Sequence, residues 1–252
     1  MTIFRDPAEW TPRPGVGFVP TMGALHAGHI ALVERARVEC AVVVASVFVN
    51  PTQFNNPEDF ATYPVTFDQD CRMLEDAGCD FVFAPTYPLL YPDDYTLRIT
   101  GMELTRVLEG EHRPGHFDGM LTVVLKLLQI VRAERAYFGE KDYQQLLLVQ
   151  KLVEAFFVPT QIVPCPTVRE PDGLAMSSRN RRLDPAQRSL AAQWARLLAD
   201  RTKDCTEVKA RLEELGFTVD YVEERWGRRL GAVHMPPLNG GPVVRLIDNI
   251  AL

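Results

Sequence analysis

The feature that most restricts this chain is the stretch at residues 41–49, AVVVASVFV, which carries no charge and is dominated by β-branched side chains. A strand with one wet face alternates polar and apolar residues. An unbroken run of this kind instead marks a strand covered on both faces, as in a parallel sheet between helices. It is far too short to span a bilayer as a helix. Around it, Gly15–Pro20, Cys79–Ala84 and Ala136–Phe138 read as further strands, and Tyr95–Thr100 as one more. His29–Cys40, Thr66–Ala77 (closed by Gly78), Phe117–Ala136 and Tyr143–Phe157 have helical spacing of apolar residues. Strands alternating with helices predict an α/β domain with a mostly parallel sheet.

The character changes near Pro164, Pro166, Pro171 and Gly173. Asp184-Pro185, a capping residue followed by proline, opens a helix to about Asp200, and Thr206–Leu215 forms another ending at Gly216. Thr218–Glu223 and Val243–Asp248 read as strands. The expected division is residues 1–175 and a small α+β domain at 176–252.

A chain of 252 residues with net charge −6 does not carry the footprint of a nucleic-acid-binding protein, although a local basic pocket is compatible with it. The five cysteines are scattered without a CxxC pair, as expected of reduced thiols in a cytoplasmic protein. The N-terminus lacks the basic and apolar regions of a signal peptide, so no membrane association is expected.

Four segments carry candidate chemistry, three of them directly after expected strands, where open parallel sheets bind ligands. In PTMGALHAGH, Pro20–His29, two histidines three apart at a helix start can face one ligand, while Gly23 and Gly28 permit close backbone approach. The N–H groups of that helix start favour a phosphate. In NPTQF, Asn50–Phe54, Asn50 and Gln53 offer amides suited to a carboxylate or hydroxyl. In GEKDYQQ, Gly139–Gln145, Lys141 is one of five lysines against 22 arginines and suits a phosphate, with Gln145 in the first helical turn. MSSRN, Met176–Asn180, sets two hydroxyls and a guanidinium at the domain junction. Taken singly, each segment also reads as an ordinary turn, cap or loop. There is no GxxxxGK[ST], no GxGxxG and no nucleophile elbow. Asp68 and Asp70 read as solvated acids at a helix start.

HxGH after a first strand with a late serine- and arginine-bearing loop resembles the nucleotidylyltransferase superfamily. Within it, PTMGALHAGH, NPTQF, GEKDYQQ and MSSRN together resemble the pantothenate synthetase (pantoate–β-alanine ligase) family, as do HRPGHFDGMLTVVLKLL (His112–Leu128) and DYVE (Asp220–Glu223). The resemblance implies a Rossmann-like parallel sheet, a smaller α+β C-terminal lid domain and a homodimer. It implies ATP, with Mg2+, at Met22, Gly23, Ala24, Leu25, His26, Ala27, Gly28, His29, Gly139, Glu140, Lys141, Asp142, Val168, Met176, Ser177, Ser178 and Arg179. Pantoate is implied at Gln53, Gln145 and Asn50, with Val123 and Val124 as pocket walls, and β-alanine near Gln53. His26, His29, Lys141, Ser178 and Arg179 would serve the chemistry, His29 matching the family's proton donor. The implied reaction passes through pantoyl adenylate and releases pyrophosphate and AMP. The chain reads as shorter than most relatives, and Met120 stands where a smaller residue is common. The competing readings are another nucleotidylyltransferase, acting on a phosphate monoester, and a nucleotide sensor without turnover.

Overall fold

A computed structural model describes residues 1–237 and 243–252. The chain divides into two compact units, one comprising Met1–Glu140 with Gln144–Cys165, the other Lys141–Tyr143 with Pro166–Leu252.

The first unit holds strands β1 (Thr2–Phe4), β2 (Val16–Thr21), β3 (Val42–Val47), β4 (Phe81–Phe83), β5 (Arg135–Gly139) and β6 (Gln161–Cys165). Its main helices are α1 (Ala27–Glu39), α3 (Phe67–Asp76), α6 (His116–Val131) and α7 (Tyr143–Ala155), with the short α2 (Pro57–Ala61), α4 (Tyr87–Leu90) and α5 (Glu109–His112). All strand pairs are parallel, in the order β1-β4-β3-β2-β5-β6. The chain therefore builds outward from β2 in one direction and then resumes on its other side at β5. This reversal of strand order opens a crevice beyond Thr21 and Gly139, the carboxyl ends of β2 and β5.

The expected Ala41–Val49 strand is β3, with Val43, Val44 and Ala45 fully buried between helical layers. Leu32, Val33 and Ala36 of α1 and Leu74 of α3 pack with Val19, Val43 and Val82 of the sheet. β1 is not legible in the sequence, because three residues are too few to show a period. It is held by parallel pairing with β4 and by Phe4 stacked on Trp10 and Phe83 at 5.2 and 4.8 Å. β6 was masked by Pro164, which is compatible with an edge strand because no outer neighbour needs its N–H.

Tyr95–Thr100 forms no strand. Its backbone donors find other partners than a ladder: Thr96 N–H donates to the Asp93 carbonyl at 3.1 Å, Leu97 N–H to Asp93 Oδ2 at 3.0 Å and Ile99 N–H to Thr122 Oγ1 at 2.9 Å.

The second unit is α+β. Strands β7 (Thr218–Arg225), β8 (Arg228–Met235) and β9 (Val244–Ala251) pair antiparallel in that order. Helices α8 (Pro185–Ala199) and α9 (Cys205–Glu214) pack through Trp194, Leu198, Val208 and Leu212 against Val222, Val233 and Leu246. The hairpin between β7 and β8 turns on Trp226 and Gly227, both at positive φ (53° and 70°), as a two-residue turn with right-handed twist requires. β8 escapes sequence reading because Arg228, Arg229 and Gly231 break its apolar pattern. Arg229 is nonetheless buried, its guanidinium donating to Glu224 Oε1 and to the Asp200 and Lys203 carbonyls. A Cβ on Gly231 would stand 2.5 Å from the Trp194 ring.

Residues 166–175 join the second unit because Arg169 forms a two-pronged pair with buried Asp248 (2.7 and 3.0 Å), and Arg188 binds Glu170 and Asp172.

Candidate active site

The loop after β2 is shaped by a buried acid. Thr21 Oγ1 donates to the Ser46 carbonyl at 2.6 Å and accepts from Gly23 N–H at 3.1 Å, ending the strand. Gly23 and Ala24 then take positive φ values of 78° and 51°. Asp70 of α3 holds this kink: Oδ2 accepts from Ala24 N–H (2.9 Å), Oδ1 from Leu25 N–H (2.8 Å), and Thr66 Oγ1 donates to the carboxylate at 3.1 Å. Asp70 is 1% exposed and so is not the solvated acid its sequence position suggested, whereas Asp68 is exposed. A cavity of about 260 Å3 adjoins this loop, lined in part by Met22, Gly23, Phe48, Val65, Phe67 and Asp70.

His26 is the N-cap of α1. Its Nδ1 accepts from Gly28 N–H at 3.1 Å, and His29 Nδ1 accepts from His26 N–H at 3.3 Å, a capping box built of imidazoles. The ring centroids lie 4.1 Å apart. Since both Nδ1 atoms accept, each neutral ring carries its proton on Nε2. The backbone N–H groups of Ala24, Leu25, His26 and Gly28 are thus met by side-chain acceptors within the loop.

The turn after β3, Pro51–Gln53, is equally constrained. Asn50 is 1% exposed and its amide is saturated. Nδ2 donates to Gln53 Oε1 (3.0 Å) and the Gly119 carbonyl (3.3 Å), while Oδ1 accepts from Thr52 Oγ1 (3.0 Å) and Tyr91 OH (2.9 Å). Burial pushes the Tyr91 phenol up to about 12, which keeps it a donor. Asn50 thus acts on Gln53: by occupying Oε1 it orients the amide with Nε2 as its donor. Gln53 is 8% exposed. The turn rests on α6, where His116 Nδ1 meets the Gln53 carbonyl at 2.8 Å and a Cβ on Gly119 would lie 2.2 Å from the Thr52 carbonyl oxygen. Val123 and Val124 are buried on the same helix.

Of the two glutamines opening α7, Gln144 is buried and structural, donating to the Leu104 and Val107 carbonyls and accepting from Glu109 N–H. Gln145 is half-buried in the same turn. Gly139 and Glu140 close β5 in the first unit.

In the second unit, the Asn249 amide donates to the Lys141 carbonyl at 2.9 Å, and the Arg228 guanidinium lies 4.2 Å from the Tyr143 ring centre. Lys141 Nζ stands 3.8 Å from Asp142 Oδ1. Ser177 Oγ caps the short helix Ser178–Arg182 by accepting from Arg179 N–H. Met176 N–H bonds the Val168 carbonyl, and Asn180 Nδ2 bonds Glu170 and the Ala175 carbonyl, so the serine–arginine loop springs from a fixed base.

The candidate residues therefore gather as Met22–His29 and Asn50/Gln53 in the first unit, and as Lys141/Asp142 and Val168/Met176–Arg179 in the second. A sequence model described as pantoate-beta-alanine ligase matches residues 4–251. The chain belongs to the pantoate-beta-alanine ligase family. A Bdellovibrio bacteriovorus pantothenate synthetase is 49% identical, over 99% of both chains, and a Coxiella burnetii pantothenate synthetase is 52% identical over 93% of this chain and 88% of its own. Among solved structures, the Francisella tularensis pantoate-beta-alanine ligase, complexed with beta-gamma ATP and beta-alanine, superposes with a TM-score of 0.92 at 42% identity, covering 100% of this chain and 97% of that one. Thermus thermophilus pantothenate synthetase gives 0.88 at 43% identity, with 100% and 99% covered. Sequence reasoning missed Asp70, Tyr91, His116 and Gly119. For His116 and Gly119 the signal was present in HRPGHFDG, the start of a stretch that resembles the family, in which only Val123 and Val124 had been given a role.

Proposed function

We propose that the chain carries out its family's ligation, the ATP-dependent joining of pantoate to β-alanine, in two steps. A pantoate carboxylate oxygen attacks the α-phosphorus of ATP and pyrophosphate leaves. The β-alanine amine then attacks the acyl carbon of pantoyl adenylate, the acyl–phosphate bond breaks, and AMP departs as the amine loses its proton. The observation that carries this reading is the orientation of Gln53: with Oε1 taken by Asn50, a donor amide is presented, which suits the carboxylate or hydroxyl of a small hydroxy acid. Gln145 is its counterpart on α7, and Gln53 also serves β-alanine.

ATP is assigned to Met22–His29, Gly139–Asp142, Val168 and Met176–Arg179. The His26 and His29 Nε2–H groups, Lys141, Ser178 and Arg179 meet negative charge as it grows on the phosphates, the kind of preorganised electrostatics that dominates such transfers. Among the described residues no three His, Cys, Asp or Glu side chains cluster as a metal cage. Magnesium is proposed as ATP's companion cation, and it would be held chiefly by phosphate oxygens and water, its usual preference with nucleotides. A homodimer and a cytoplasmic location belong to the same reading. Among the described residues no helix is long and apolar enough to cross a membrane. The test is isotope exchange: labelled pyrophosphate enters ATP with pantoate alone. Exchange that strictly requires β-alanine would refute the two-step order.

A further inference from the structure

Between the two glutamines assigned to the acid runs a buried polar relay. Gln144, beside Gln145, brackets residues 104–109 with three hydrogen bonds, the last accepted from Glu109 N–H at 3.1 Å. This bracket restrains Leu108, a buried residue at φ 50° that would not take this conformation unaided. Glu109 Oε2 stands 3.5 Å from Arg113 Nη1, which lies 3.1 Å from His116 Nε2. His116 Nδ1 reaches the Gln53 carbonyl at 2.8 Å. Gln144, Glu109 and His116 are all buried.

The partners fix the imidazole's state. A carbonyl only accepts, so Nδ1 carries the proton, and a guanidinium only donates, so Nε2 is bare. His116 is thus a neutral spacer with one defined donor, aimed at the backbone of a three-residue turn. That turn has Asn50 on its side chain and Gly119 against Thr52. The Gln53–Phe54 peptide is held at both of its polar groups, its N–H donating to the Pro51 carbonyl at 3.2 Å and its carbonyl accepting from His116, while Asn50 holds the side-chain amide; the His116 bond is the one that ties this peptide to α6. A displacement of about 1 Å at a substrate-orienting group is enough to cost catalysis heavily.

We infer that His116, held in one tautomer by Arg113, is a positioning residue for the acid substrate that aims Gln53 through its main-chain carbonyl. The inference rests on the reading that Gln53 binds pantoate, and the test separates the two. Pantoate-dependent pyrophosphate exchange is measured over ranges of pantoate and of ATP for His116→Asn, His116→Gln, Arg113→Gln and Gln53→Ala. The Asn amide overlies Nδ1 and keeps the bond to the Gln53 carbonyl. The Gln side chain reaches the Nε2 position, satisfies Arg113 and leaves that carbonyl without its donor.

His116→Gln raises the pantoate KM about tenfold, the loss of roughly one hydrogen bond, with the ATP KM within about twofold. His116→Asn returns the pantoate KM to within about threefold of wild type, a rescue that mere packing does not predict. Arg113→Gln, at a more accessible site, raises the pantoate KM in the same selective way and carries the test if the His116 variants do not fold. If Gln53→Ala raises the pantoate KM while His116→Gln and Arg113→Gln leave it unchanged, or raise both substrates' KM alike, the inference is overturned and the acid-site reading stands. If Gln53→Ala leaves the pantoate KM unchanged, the acid-site reading fails and the inference falls with it.

Discussion

Replacing Asp70 by Asn tests how the loop proposed to bind ATP is held. The carboxylate supplies one oxygen to Ala24 N–H and the other to Leu25 N–H, at 2.9 and 2.8 Å, from a position 1% exposed. An Asn amide retains one of these acceptors and turns an NH2 toward the other N–H. One charge-assisted bond, worth roughly 1.5–3 kcal/mol, is lost, and a buried donor is left facing another donor. Allowing for overlap between these effects, the expected destabilisation is about 2–4 kcal/mol. At about 2–4 °C per kcal/mol for a chain of this size, Tm falls by roughly 5–15 °C in a calorimetric scan. The kink at Gly23–Ala24 also relaxes, so the ATP KM rises severalfold while the pantoate KM changes little. Asp68→Asn, on the exposed side of the same helix start, is the control and stays within about 0.5 kcal/mol of wild type. An Asp70→Asn protein matching that control in Tm and in ATP KM would show that the loop holds its shape without the carboxylate.

Three further outcomes are expected. Lys141→Ala folds and still binds ATP but loses adenylation by about 10²–10³, because a cation at developing phosphate charge acts mainly in the transition state; single-turnover adenylate formation within about threefold of wild type removes it from the chemistry. Gly119→Ala forces a Cβ to within 2.2 Å of the Thr52 carbonyl oxygen, so it destabilises by at least about 1–3 kcal/mol and raises the pantoate KM, with denaturant unfolding and exchange kinetics as the readouts. Burial pushes the Cys79 and Cys165 thiols up to about 11, so their reactive thiolates are scarce at pH 8; native-state alkylation followed by mass spectrometry leaves both unmodified until the protein unfolds, and labelling at the rate of a free thiol contradicts this.

The parts of the molecule legible in the sequence are those where one local pattern suffices. The uncharged run at 41–49 is β3, and Asp184-Pro185 opens α8 through a full capping box with Gln187. The parts that escaped depend on partners distant in sequence. Asp70 resembles any acid at a helix start, and only the fold brings Ala24 and Leu25 to it across more than forty residues. Asn50 reads in the sequence as an amide in a turn, and only the fold brings Gly119 and Tyr91 to it beside Gln53 and Thr52. β8 looks unlike a strand because its arginines and glycine answer to Glu224 and Trp194, not to alternation.

The membership of Lys141–Tyr143 in the second unit bears on how such a chain can be inherited and recombined. Both flanks of this tripeptide belong to the first unit, yet its carbonyl anchor is Asn249, 108 residues further on, and its aromatic ring lies against Arg228. A single crossover between two relatives anywhere from residue 144 to 165 would deliver the anchor from one parent and the tripeptide from the other. The two stretches therefore behave as one unit of descent without being neighbours in the gene. Chimaeras that exchange residues 141–143 together with 166–252 should tolerate greater parental divergence than those that exchange the C-terminal stretch alone.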